Sequence, residues 1–256
     1  PLATQANSNL EDFYVANFNA CFPISTNTIA SSQTVCIGSS VANLTGSVPT
    51  GGNDSYTYLW QNSSDGITWT NAAGTNTLVN YNVPSITSTT YFKRIVYSCS
   101  EVSSSNQVTI TIVPNPTVSI ISSSSTLCSG STITLTASGA SSYTWTSGPS
   151  TSSYTINTAG VYTVTGSNSN GCVDSKTINI SSSPIPTINA IANPTVICMG
   201  GTSTLTSSGA STYTWSSGAI SSTVSINTAG IYTVTGTNAS GCSSTQTVSL
   251  FVNANP

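Results

Sequence analysis

The feature that most constrains this chain is an internal repeat. The 45 residues from Cys128 to Cys172 recur 70 residues later as Cys198 to Cys242, with 29 positions identical and no insertion. Trp145 and Trp215, Gly160 and Gly230, and Cys172 and Cys242 keep the same register. A period of 70 residues is long for a solenoid unit and fits a small domain, so the sequence reads as beads on a string.

Within each copy the pattern alternates with period two. Ile133 and Leu135 share one face, Tyr143 and Trp145 another, and Tyr162 and Val164 a third, with glycine-rich punctuation between them. Asn170-Gly171 and Ser240-Gly241 are turn dipeptides placed just before a cysteine. Short alternating strands without helical periodicity predict an all-β chain of tandem Ig-like antiparallel β-sandwich domains. Residues 24–114 read as a longer relative, with Trp60 in a central strand and an added hairpin around Asp65-Gly66. Prolines at 114, 116, 184 and 186 mark linkers. The predicted layout is an N-terminal extension over 1–23 and sandwiches over 24–114, 115–184 and 185–256.

Composition excludes several function classes. Of 256 residues, three are basic, six acidic and none is histidine, while Ser and Thr together number 93. Three basic residues cannot neutralise a run of phosphates, which argues against nucleic-acid binding by charge. Without histidine the abundant serines lack the usual general base. The carboxylates Glu11, Asp12, Asp54, Asp65, Glu101 and Asp174 form no predicted facing pair for glycoside hydrolysis, although Asp54 with Asp65 stays open. No enzyme activity, cofactor or metal is expected. No apolar run approaches a membrane span.

Seven cysteines without C-x-x-C spacing point to disulfides and to an extracellular, cell-surface location. Each predicted domain carries two, so the expected pairs are Cys36 with Cys99, Cys128 with Cys172, and Cys198 with Cys242. Cys21 is then odd. An intermolecular bond, a free thiol, an upstream partner and exchange with Cys36 are all open. The apolar residues Phe13, Tyr14, Val15 and Phe18 suit the last strand of a preceding domain, a strand donated to a neighbouring copy, or packing on the first sandwich. Expected partners are therefore copies of the chain itself or flanking domains, with surface glycans as a further option.

Trp60, Trp145 and Trp215 lie mid-strand and are expected in the core rather than against sugars. Trp69 follows the hairpin and is, with Asp65, the candidate ligand contact. Asn43, Asn53, Asn62, Asn179 and Asn238 match the N-glycan acceptor pattern, and Ser55 and Ser175 follow aspartates in an O-glycan-like setting.

YTYLWQNSSDGITWTNAAG with TTYFKRIVYSC resembles the Ig-like/PKD-like repeats of Bacteroidota surface proteins. The two copies of C-x-G-x-T-x-T-L-T-x-S-G-A-S-x-Y-T-W, each closing on N-T-A-G-x-Y-T-V-T-G, resemble a second class of these repeats. The resemblance spans about residues 24 to 254 and implies adhesin, gliding-associated or filament-type proteins exported by type IX secretion. The expected role is a disulfide-stapled rod, as filament subunit or adhesin stalk. The alternative is a glycan- or surface-binding adhesion module using the first domain's hairpin.

Overall fold

The computed structural model describes residues 21–254. All regular structure among them is β. Two compact units emerge. One holds residues 21–117 together with Ser167–Asp174; the other holds Val118–Gly166 together with residues 175–254. The Ser167–Asp174 turn thus clusters with the first unit, across the boundary expected at 114.

The first sandwich is built from β1 (Phe22–Ser25), β2 (Gln33–Cys36), β3 (Thr50–Gly52), β4 (Thr57–Ser63), β5 (Thr70–Asn71), β6 (Thr90–Ser98), β7 (Glu101–Ser104) and β8 (Val108–Val113). One sheet runs β2-β8-β6-β4-β5, with β7 also paired to β6, and β1 pairs with β3. Trp60, Tyr81, Phe92, Leu44 and Ile110 form its core. The second sandwich comprises β9 (Ser119–Ser122), β10 (Thr126–Cys128), β11 (Ile133–Ser138), β12 (Ser142–Trp145), β13 (Ser153–Ile156), β14 (Gly160–Ser167) and β15 (Val173–Ser183). Its sheets run β13-β11-β9 and β10-β15-β14-β12. The third repeats this with β16 (Asn189–Asn193), β17 (Val196–Cys198), β18 (Ser203–Ser208), β19 (Thr212–Trp215), β20 (Thr223–Ile226), β21 (Gly230–Thr237) and β22 (Ser243–Asn253). Its sheets run β16-β18-β20 and β17-β22-β21-β19. These are tandem Ig-like sandwiches.

The alternation read from sequence follows from burial. Ile133, Leu135 and Ala137 point inward on β11, with Thr134 outward between them. Each central tryptophan is buried, and its indole N–H still finds an acceptor. Trp60 donates to Leu78 O at 2.9 Å, Trp145 to Thr151 O at 3.0 Å and Trp215 to Ser221 O at 3.0 Å. Each ring fills the core while pinning a loop over it, which avoids the cost of a buried unpaired donor.

One strand in each sandwich breaks the antiparallel rule. The short strands β2, β10 and β17 pair in parallel with the last strands β8, β15 and β22. This puts Cys36 beside Val113, Cys128 beside Ser183 and Cys198 beside Asn253. Each cysteine therefore lies where the chain leaves its sandwich.

Candidate functional site: the cysteine staples

The parallel register separates the cysteines that were expected to pair. Cys172 precedes β15, whose 11 residues end beside Cys128. At about 3.3 Å per residue the two lie roughly 35 Å apart. The same geometry separates Cys198 from Cys242 along the 11 residues of β22. In the first sandwich Phe92 is level with Val108, so Cys99 lies beyond one end of β8 and Cys36 at the other. A disulfide needs Cα atoms within about 7 Å. None of the three expected pairs can close.

The observed bonds join different partners. Cys36 bonds Cys172 with Cα atoms 5.4 Å apart, and Cys128 bonds Cys242 at 5.5 Å. Cys21 bonds Cys99 at 6.3 Å, so it is intramolecular rather than an intermolecular or free thiol. Cys198 is unpaired and exposed, where a bond to Cys242 was expected. One rule covers the pairs Cys36–Cys172 and Cys128–Cys242: a cysteine at the exit of one sandwich bonds the turn cysteine of the sandwich next in sequence. Cys21, just before β1, bonds Cys99 in the turn between β6 and β7.

The receiving turn is built alike in both later copies. Asn168 accepts the N–H groups of Asn170 and Cys172 on Oδ1, each at 3.0 Å, and its own N–H bonds Cys172 O at 2.9 Å. Asn238 does the same with Ser240 and Cys242. Gly171 and Gly241 sit at φ of 81° and 83°, where an L side chain is strained, so the turn requires glycine before its cysteine. The asparagine amide then reaches the linker. Asn168 Nδ2 donates to Pro114 O at 3.0 Å, and Asn238 Nδ2 to Pro184 O at 2.9 Å. The staple is thus a disulfide flanked by an asparagine clamp. The turn dipeptide before each cysteine was legible in the sequence; Asn168 and Asn238 as its cap and clamp were not.

The remaining candidate residues fall elsewhere. Phe13, Tyr14, Val15 and Phe18 lie outside the described residues. Asp65 sits in the loop joining β4 and β5, which pair as a hairpin. Its Oδ1 accepts the N–H of Ile67 at 2.8 Å, the N–H of Thr68 at 2.7 Å and the hydroxyl of Ser63 at 2.7 Å. These bonds, led by that from Ile67, hold its carboxyl well below the usual carboxylate range. Because the folded pKa lies below the unfolded one, the ionised turn is favoured above pH ~3.9 and loses that advantage as pH falls further. Carboxyl-carbon NMR should find Asp65 still ionised at pH ~3, where an ordinary Asp is mostly protonated. A midpoint at or above the ordinary value would overturn this turn geometry. Trp69 is half-buried under Lys93, whose Nζ stands 4.3 Å from the ring centre. Asp65 and Trp69 are thus each engaged within the protein.

The glycan-acceptor candidates divide by their contacts. Asn43, Asn179 and Ser55 are exposed. Asn53 accepts from Ser98 Oγ at 2.8 Å, Asn62 from Thr70 Oγ1 at 3.4 Å, and Ser175 Oγ bonds Thr165 Oγ1 at 2.8 Å. Asn238 carries the clamp, so a glycan on its Nδ2 would compete with the bond to Pro184 O. Among the described residues no group of three or more His, Cys, Asp or Glu is placed to hold a metal ion. No helix among them is long and apolar enough to cross a membrane, which says nothing of membrane β-barrels.

A family model described as a domain of unknown function (DUF8696) matches residues 25–114. No curated protein matches the chain. Among solved structures, a chain from a study of host cell surface retention of a 1.5-MDa bacterial ice-binding adhesin is similar at 16% identity. It covers 93% of this chain and 100% of its own, with a TM-score of 0.35. Sidekick-1 immunoglobulin domains 1–5 are similar at 14% identity over 91% of this chain and 59% of theirs, with a TM-score of 0.33. The N-terminal eight Ig domains of Down Syndrome Cell Adhesion Molecule follow at 13% identity over 91% and 37%, with a TM-score of 0.36. Likenesses this low add nothing to the fold that the sheet order establishes.

Proposed function

We propose that this chain is a structural segment of an extracellular surface protein, with tandem sandwiches stapled so that the chain resists extension. The observation that carries the reading is the set of three disulfide loops, 21–99, 36–172 and 128–242. The first and last give tension a covalent short cut past most of the polypeptide, and loop 36–172 spans the gap between them. Stable disulfides also belong to oxidising compartments, which supports a secreted or surface location. A surface filament subunit and an adhesin stalk both fit this reading, as do the Bacteroidota origin and type IX export implied by the repeat resemblance.

Covalent topology sets the test. Between residues 21 and 254 the bonds leave only the stretches 99–128 and 242–254 on the shortest path. At about 3.4 Å per residue that path extends to roughly 140 Å. Pairing inside each sandwich would allow roughly 280 Å, and the reduced chain roughly 800 Å. Single-molecule pulling from positions 21 and 254 should find the shortest limit without reductant and the longest with it. A limit near 280 Å would overturn the staples and the function drawn from them.

A further inference from the structure

We infer that Cys198 is the attachment point for a further sandwich of the same kind, one that presents an Asn-x-x-Gly-Cys turn. Its counterparts in the two preceding sandwiches, Cys36 and Cys128, each hold the turn cysteine of the next sandwich. Cys198 has the same surroundings. It ends the short parallel strand β17, lies beside Asn253 as Cys128 lies beside Ser183, and is followed by a residue whose N–H bonds the last strand. That bond is Met199 N to Asn253 O at 3.0 Å, matching Ser129 N to Ser183 O at 3.1 Å.

A second observation points to the same place. Around Cys198 the third sandwich exposes Val196, Met199 (67%) and Phe251 (62%). The corresponding residues of the second sandwich are Thr126, Ser129 and Ser181. Val196 and Phe251 are register partners, so the apolar change is one contiguous patch beside the thiol. Solvated apolar side chains grouped at one spot mark a surface that another body covers. The occupant is set by the repeat: both preceding exits are covered by the turn of the following sandwich, clamped through its asparagine.

The bond forms by thiol–disulfide exchange with a small disulfide oxidant such as oxidised glutathione. The Cys198 thiolate attacks the oxidant and expels one glutathione thiolate. The turn-cysteine thiolate then attacks the mixed disulfide and expels the second. Two protein thiols are oxidised, one oxidant disulfide is reduced, and the two protons pass to the two glutathione thiolates.

The inference rests on the structural reading above, and one experiment separates their failures. The full chain is extended after Asn253 with a second copy of residues 184–254, the appended copy carrying Ser in place of its Cys198 counterpart. The protein is equilibrated in glutathione buffers, alkylated and mapped by mass spectrometry without reduction. The expected result is a peptide joining Cys198 to the appended turn cysteine, closed at the glutathione ratio that closes Cys128–Cys242. Alanine in place of the appended turn asparagine should shift that ratio about tenfold toward oxidising conditions, because the clamp is lost. Cys198 left alkylated, bound to glutathione or joined to Cys198 of another molecule would overturn the inference. So would closure that ignores the asparagine, since tethering alone would then explain it. If Cys36–Cys172 and Cys128–Cys242 are also absent from the digest, the structural reading falls with it.

Discussion

Replacing Cys128 and Cys242 together by serine should cost about 5 kcal/mol of stability, read as a lower urea midpoint. The bond closes a sequence separation of 114, and the chain-entropy cost of an open loop that long sets this figure as an upper value. The term grows only with the logarithm of loop length. The equivalent change at Cys21 and Cys99, with a separation of 78, should therefore cost within about 0.5 kcal/mol of the same amount. Both separations exceed the 63 and 44 expected from pairing within a sandwich, yet the logarithm keeps the energies close. The staple is thus distinguished by what it connects rather than by its energy. A loss below ~1 kcal/mol for the Cys128/Cys242 variant would mean that this bond does not hold the native state.

Asn27→Ala should cost about 3–5 kcal/mol, because it breaks up a buried charge site. Arg94 lies fully buried in the first sandwich, on β6. Asn27 Oδ1 accepts from its Nε at 3.2 Å and its Nη2 at 3.0 Å. Val79 O and Ser47 O accept from Nη1 and Nη2 at 2.9 and 2.8 Å. None of these partners is a carboxylate, so among the described residues neutral oxygens accept the hydrogen bonds of the cation. The rings of Tyr58 and Trp60 add their faces at 5.1 and 6.0 Å. Burial pulls the guanidinium pKa below its ordinary value, the direction expected of a desolvated cation. Removing Asn27 strips two charge-assisted bonds and the bond its Nδ2 donates to Ser103 O at 2.9 Å. The charge itself cannot be shed, since arginine stays protonated at working pH. Urea unfolding of the variant checks this; a loss below ~1 kcal/mol would show that the cation is solvated some other way. Gly46 belongs to the same site. A Cβ there would fall 2.5 Å from the guanidinium carbon and 2.6 Å from Val79 O, so the close approach requires glycine.

Arg94 and the staples share a reason for escaping the sequence reading. Arg94 sits in the run Thr90–Ser98, where it looks like an ordinary strand residue. Its partners come from loops 15 to 67 residues away. No local pattern announces such a site. The hairpin at Asp65-Gly66 is the opposite case. Its turn chemistry spans residues 63–68, and both the turn and the β4–β5 pairing around it could be anticipated. The internal contacts of Asp65 and Trp69 were not legible in the same way. Asp65 caps its own turn, and Trp69 lies under Lys93.

The all-β class, the alternating faces, the buried tryptophans and the glycine-cysteine turns were legible in the amino-acid pattern alone. Each rests on interactions between near neighbours in the chain, where side-chain period and backbone preference decide the outcome. The cysteine pairing belonged to the tertiary structure alone. Two cysteines per domain fit pairing within a sandwich and pairing to the next one equally well. What separates them is where one three- or four-residue strand sits along the last strand of its sandwich. β10 lies beside Ser181–Ser183, so Cys128 is at the exit end of β15 whichever way the short strand runs. That placement is set by the packing of the whole sandwich, and it carries no signature in a segment as short as Thr126–Cys128.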